Sequence, residues 1–161
     1  MKKTFFVILA LVLALTMLCA CSPTKIIEKA IEKETGQVVK IDNDGDTITM
    51  QGKDGDSVMI ASGDDLKWPA DKMGPLPEMK GKITSVIAGE KGCNVMLDGV
   101  ARADADAYIQ KLKDMNLSDV YGNELETMAT FGGAGDDYSV TFVFSGDDKS
   151  GTASITYSVQ N

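Results

Sequence analysis

Residues 138–159 constrain the fold most, because two apolar–polar alternations follow one another there across a Gly/Asp-rich turn. Tyr138, Val140, Phe142 and Phe144 alternate with Ser139, Thr141 and Val143. Ala153, Ile155, Tyr157 and Val159 alternate with Ser154, Thr156 and Ser158. A two-residue period sends successive side chains to opposite faces of a strand. Two such strands in succession predict an antiparallel sheet with one buried and one wet face. The buried face then needs an apolar cover from elsewhere in the chain.

The cover is legible upstream. In "DADAYIQKLKDMN", Ala105, Tyr108, Ile109, Leu112 and Met115 recur at helical spacing, and Asn116 is a natural stop. Strand-like runs "KITSVIA" and "CNVMLD" precede this helix, and "ETMATF" follows it as a third. The order over residues 81–161 is therefore ββαβββ, and the fold class is α+β.

Residues 25–62 read as a helix plus a small antiparallel β-meander. "TKIIEKAIEKETG" puts Ile26, Ile27, Ala30 and Ile31 on one face, lets Lys29 pair with Glu32, and ends on Gly36. So short a stripe does not hold a lone helix, so it should pack on its neighbours. Those are "QVVKID", "DTITMQ" and "SVMIAS", joined by "NDGD" and "GKDGD", whose Asp-Gly steps signal hairpins. Residues 63–80 hold Pro69, Pro75 and Pro77 without periodicity, and read as a linker or wrapping loop between the two units.

The N-terminus has a different character. Met1-Lys2-Lys3 is followed by a predominantly apolar stretch from Phe5 to Leu18 and then by small residues, the layout of a secretory signal peptide. About fourteen helical residues span roughly 21 Å, short of the roughly 30 Å hydrocarbon core. The closing Leu18-Cys19-Ala20-Cys21 resembles the bacterial lipobox: Leu, a variable small residue, Gly or Ala, then an invariant cysteine. This resemblance implies cleavage between Ala20 and Cys21, with 1–20 as the leader and 21–24 as a lipidated tether. It also implies a diacylglycerol on Cys21 that holds the chain at the extracytoplasmic face of the cell membrane. One acyl chain binds a bilayer marginally, whereas two hold stably. Together with "KWP" and "PLP", the layout is similar to small Gram-positive lipoproteins of uncharacterised function. That likeness implies the same helix-plus-meander, linker and ββαβββ plan, and it brings no activity with it.

Charge and cysteine usage narrow the function classes. The whole chain carries −8, and loss of the leader also removes Lys2 and Lys3. Nucleic acid is not an expected partner, because its binding rests on neutralising phosphates with Lys and Arg. An acidic body gains nothing electrostatic from an anionic bilayer, so the lipid must do the holding. After processing, Cys93 is the one thiol besides the acylated Cys21, so no intramolecular disulfide is expected. Within "GCNVMLDG" it reads as a small buried hydrophobe. The chain has no histidine and no recognisable nucleophile–base pair, so no catalytic residue and no cofactor is expected.

Several stretches are candidates for binding. Trp68, the single tryptophan, is a ligand platform or a plug over a core edge. Ser139, Thr141, Ser154, Thr156 and Ser158 form a hydroxyl-rich face that could meet a glycan or a partner's edge, or simply face water. Asp42, Asp44 and Asp46 fall at positions 1, 3 and 5 of an EF-hand-like loop. Thr47 replaces its glycine and Lys53 its final glutamate, so a hairpin turn is the better reading and metal binding a weak one. "GGAGDD" at 132–137 matches one calcium-binding nonapeptide, but a solitary copy lacks the stacked neighbour that completes the ligand set, and it reads as a hairpin loop. The pairs Asp64-Asp65, Asp136-Asp137 and Asp147-Asp148 lie beside glycines in predicted turns where nothing desolvates them, whereas catalytic carboxylates need a pocket that separates their pKa values. The expectation is a non-enzymatic, membrane-anchored binding or interaction module. A calcium-binding envelope module and a small envelope hydrolase or peptidase-associated factor are the alternatives.

Overall fold

Among the described residues of the computed structural model, nine antiparallel strands form one sheet in the order β1-β2-β3-β4-β5-β9-β8-β7-β6. The structure describes residues 24–35, 38–42, 46–52 and 56–160. The elements are α1 (Thr24–Thr35), β1 (Val38–Ile41), β2 (Thr47–Gln51), β3 (Ser57–Ser62), β4 (Lys82–Ala88) and β5 (Gly92–Val100). There follow α2 (Arg102–Lys113), β6 (Ser118–Leu125), β7 (Met128–Ala134), β8 (Tyr138–Gly146) and β9 (Gly151–Val159). The class is α+β. Leu18, Cys19, Ala20 and Cys21, together with the rest of the leader and tether through residue 23, lie outside the described residues, as do Asp44, Gly36 and the centres of both Asp-Gly turns.

The terminal hairpin builds the core as its alternation requires. Val140, Phe142, Phe144, Ala153 and Ile155 are buried on one face, with Val95 and Leu97 of β5 beside them. Burying each large apolar side chain of this kind contributes roughly 1.5–3 kcal/mol. Helix α2 lies over β7 and β8 and inserts Ala105, Tyr108, Ile109 and Leu112. It stops after Lys113, and Asn116 turns the chain at φ 55°, a conformation asparagine tolerates better than most residues. Arg102 ties the start of α2 to the turn after β6. Its guanidinium bonds Asp106 at 2.8 Å and donates to the carbonyls of Leu125 at 2.6 Å and Glu126 at 3.1 Å.

Three expectations change. Four strands follow α2 rather than three, because Ser118–Leu125 pairs with β7 as the sheet's outer strand. All eight of its residues are exposed, so no burial imposed a period on its sequence. Gly132, Gly133 and Ala134 of "GGAGDD" are strand residues of β7, which leaves Gly135–Asp137 as the turn. Val159 is exposed, because its place at the end of β9 lies beyond the helix.

The Pro-rich segment is held to the core rather than hanging free of it. Met73, Leu76 and Met79 are buried in the main cluster, with Leu66 and Trp68 packed at its margin. Strands β3 and β4, on either side of this segment, pair directly from Met59↔Ala88 to Ser62↔Ser85, so the sheet is continuous across it.

The two helices cover opposite faces. Helix α1 packs on β1, and the Glu28 carboxylate accepts a hydrogen bond from the Ile41 N–H at 2.7 Å. Val39 is 5% exposed and lies apart from the main cluster, while Val38 and Lys40 on either side of it are open. Helix α1 therefore sits on the Val39 side, and that side is continuous with the face α2 leaves bare. Ala30, expected on the apolar stripe of α1, is exposed.

Candidate functional site

One row of directly opposed residues crosses all nine strands on the face away from α2. It runs Ile41, Ile48, Ile60 and Ile87 through β1 to β4. It continues as Asn94, Thr156, Thr141, Gly132 and Tyr121 through β5, β9, β8, β7 and β6. Opposed residues in an antiparallel sheet share a face and touch. The row is thus apolar from β1, where α1 lies, to Ile87 of β4, and mostly hydroxyl- and amide-bearing from β5 onward.

The polar half is cross-linked by side chains. Asn94 Nδ2 donates to Thr156 Oγ1 at 2.8 Å and to Ser154 Oγ at 2.9 Å, joining β5 to β9. The hydroxyls of Tyr121 and Thr141 are 3.2 Å apart. Between them Gly132 has no side chain, and a Cβ there would overlap the Tyr121 ring. The Asn94 amide, part-buried and bonded to both hydroxyls, is ordered before any ligand arrives, which lowers the ordering cost of binding there.

Charge is sparse on this face. A quarter of the chain is Asp, Glu, Lys or Arg. From β3 to β7, however, the charged side chains of the open face are confined to Lys82 and Asp98 at one end of the β4–β5 pair. A second row, Ser85–Met96–Ser154–Val143–Thr130, lies beside the first. Ile87, Met96, Val143 and Tyr121 are all exposed here. Depletion of charge with apolar and aromatic side chains left in contact with water is how the centre of a recognition surface differs from ordinary surface.

Of the residues expected from sequence, Ser139, Thr141, Ser154, Thr156 and Ser158 fall together on this face. Trp68 lies elsewhere, half-buried against the main core and lining a shallow depression with Leu66, Glu78 and the exposed Asp64–Lys82 ion pair, 2.6 Å long. The Lys82 ammonium, which bonds and faces the Asp64 carboxylate, lowers that acid's pKa, and the Lys82 pKa rises in turn. Asp42 and Asp46 flank the β1–β2 turn, where the Asp42 N–H bonds the Thr47 carbonyl at 3.0 Å. Among the described residues no three His, Cys, Asp or Glu side chains are grouped to hold a metal ion.

Cys93 is buried on the core side, and burial, then the negative charge of Asp71, push its thiol up to about 11. It is a packing residue with no thiolate at neutral pH. Asn94 and Met96, its strand neighbours, are the site residues sequence reasoning missed but could have found. Alternation within "CNVMLD" sends them to the wet face. Tyr121 carried no such signal, because its strand was not recognised. No protein-family model, curated protein or solved structure matches the chain.

Proposed function

We propose that this chain is a lipoprotein held at the extracytoplasmic face of a cell membrane by a diacylglycerol on Cys21, and that its sheet is a non-enzymatic interaction module. The anchor rests on the leader and on Leu18-Cys19-Ala20-Cys21. The module rests on one observation, the charge-poor open face with its Asn94–Thr156 and Tyr121–Thr141 side-chain pairs in one row.

The two parts fit each other. Helix α1 starts at Thr24, three residues past Cys21 in the sequence, and packs on β1, so an anchor at Cys21 would join the chain through the helix on the β1 side of the sheet. Strand β6 lies eight strand spacings away, on the order of 38 Å. Anchoring at Cys21 leaves the open face clear of its own attachment point.

Mass spectrometry of the native protein tests the anchor: an acylated N-terminal Cys21 is expected, and retention of residues 1–20 overturns it. Photo-crosslinkers at Thr141 and Met96, compared with one at the α2 surface position Lys111, test the module. Adducts confined to the first two positions are expected. Adducts at Lys111 alone, or a thermal midpoint raised by calcium, would replace this reading with another, since a ligand of the native state must stabilise it.

A further inference from the structure

We propose that the outer edge of β6 takes up an extended peptide segment of a partner protein as a tenth strand, and that this segment alternates apolar side chains with lysine or arginine. This surface is the outer edge of the sheet; it shares Tyr121 with the open face and does not depend on the membrane anchor.

Strand β6 ends the sheet, and among the described residues no strand lies beyond it. The Asn123 N–H bonds Thr130 Oγ1 at 3.1 Å, and that hydroxyl also faces the Asn123 carbonyl at 3.5 Å. The backbone of Asn123 is therefore turned inward to β7. In an antiparallel ladder, hydrogen-bonding direction alternates, so the N–H and C=O of Gly122 and Glu124 point outward. Pairing is regular from Tyr121↔Gly132 to Leu125↔Met128. At the other end a register shift between Ser118 and Tyr121, with Asp119 at φ 49°, breaks the strand line. Bulges and charges commonly blunt exposed edges. Here they blunt one end and leave Tyr121–Leu125 open as a short template.

The flanks of this template suit alternating side chains. Helix α2 stops short of β6, leaving a depression of about 380 Å³ lined by Lys113, Gly122, Glu124 and Phe131 among others. On the opposite face the exposed Tyr121 and Leu125 offer apolar contact. Strand addition uses this combination: main-chain bonds for affinity and alternate pockets for specificity.

Charge selects the occupant. Asp119, Glu124 and Glu126 border the template, against Lys113, which pairs with Glu124 at 3.6 Å, and Arg102, which pairs with Asp106 and bonds the Leu125 and Glu126 carbonyls. The whole chain carries −8. A second copy pairing β6 with β6 would bring two sets of these carboxylates to one seam, where opposed like charges are unfavourable. A basic, apolar strand meets the same groups with attraction.

The test uses the full-length protein in detergent micelles and a synthetic peptide of alternating valine, threonine and lysine. Controls replace lysine by glutamate, or N-methylate alternate backbone nitrogens. With about 1 mM lysine peptide, exchange of the Gly122 and Glu124 amides should slow by about tenfold or more, while Asn123, already bonded, stays as it was. Neither control should slow them. Glu124→Pro removes one outward N–H at a position where an edge strand tolerates proline, and should abolish the effect with the thermal midpoint kept. The N-methylated peptide makes the same test on the ligand side whatever that variant does. Unchanged exchange at Gly122 and Glu124, equal slowing by the glutamate peptide, or slowing on raising the protein concentration alone would each overturn the proposal.

Discussion

Tyr121 reaches Thr141 across an intervening strand because Gly132, between them, has no side chain to stand in the way. The two hydroxyls are 3.2 Å apart, and the Tyr121 ring occupies the place a Gly132 Cβ would need. Gly132→Ala should therefore displace the ring rather than the backbone, since Tyr121 is 58% exposed and free to swing outward. The cost is expected to stay within about 1 kcal/mol, the scale of one cross-strand pair. NMR contacts between the Tyr121 ring and Thr141 should vanish while the chemical-denaturation midpoint hardly moves. A loss of several kcal/mol would mean that the glycine serves the backbone instead.

Tyr108 presents the opposite situation, a hydroxyl with nothing to bond. Its side chain is buried beneath α2 with the ring 5.3 Å from that of Phe142, and its oxygen has no hydrogen-bond partner. Burial alone drives its pKa upward, so it is neutral at neutral pH. An unsatisfied buried polar group costs about 1–3 kcal/mol. Tyr108→Phe keeps the ring and removes the oxygen, so it should stabilise the protein by about 1 kcal/mol, or raise the thermal midpoint by roughly 2–4 °C. Tyr108→Ala should cost about 3–5 kcal/mol through the cavity it leaves. Urea titration of both variants checks the pair.

The parts of this fold that were legible share one property: a single side is buried. Phe142, Phe144 and Ile155 alternate with hydroxyl residues because their strands have α2 on one side and water on the other. Residues 105, 108, 109 and 112 repeat at helical spacing for the same reason. Strand β6 was illegible because both its sides are wet, and Asp119, Gly122 and Asn123 within it are turn-forming types. The segment 63–81 hid Met73, Leu76 and Met79 because irregular backbone has no period to betray which side chains turn inward. As for the candidate face, its hydroxyl half was visible along β8 and β9. Its continuity with Ile87, Ile60, Ile48 and Ile41 was not, since strand order and register depend on pairings that no single strand encodes.

Cys93 should behave as a core reporter. With its thiol raised to about 11 by burial and then by Asp71, it holds almost no thiolate at pH 8, and its side chain is out of solvent. Thiolate and access together set the rate of disulfide exchange. In a variant with Cys19 and Cys21 replaced by serine, an aromatic disulfide reagent should label Cys93 at the rate the fold opens and no faster. Adding urea should accelerate labelling in parallel with the fraction unfolded. Stoichiometric labelling within the mixing time in native buffer would contradict the burial described above.

Acid sensitivity should be traceable in part to one turn. Between β8 and β9, Asp147 Oδ1 accepts hydrogen bonds from the Ser150 N–H at 2.9 Å and the Lys149 N–H at 2.8 Å. These two donors hold its carboxyl below the usual carboxylate range, Ser150 more than Lys149. They favour the ionised form, which the unfolded chain does not. A folded-state pKa lowered in this way contributes stability that is present above the unfolded pKa and lost as pH falls through the folded one. Asp147→Ala should therefore lower the thermal midpoint at pH 7 by more than it does in acid, where the native carboxyl loses its charge as pH falls through its lowered pKa. Asp147→Asn keeps a neutral oxygen in the same place, so it should retain part of the turn's stability at pH 7 and in acid, with a flatter profile between them. Parallel pH profiles for the wild type and the alanine variant would show that the Asp147 charge takes no part in holding this hairpin closed.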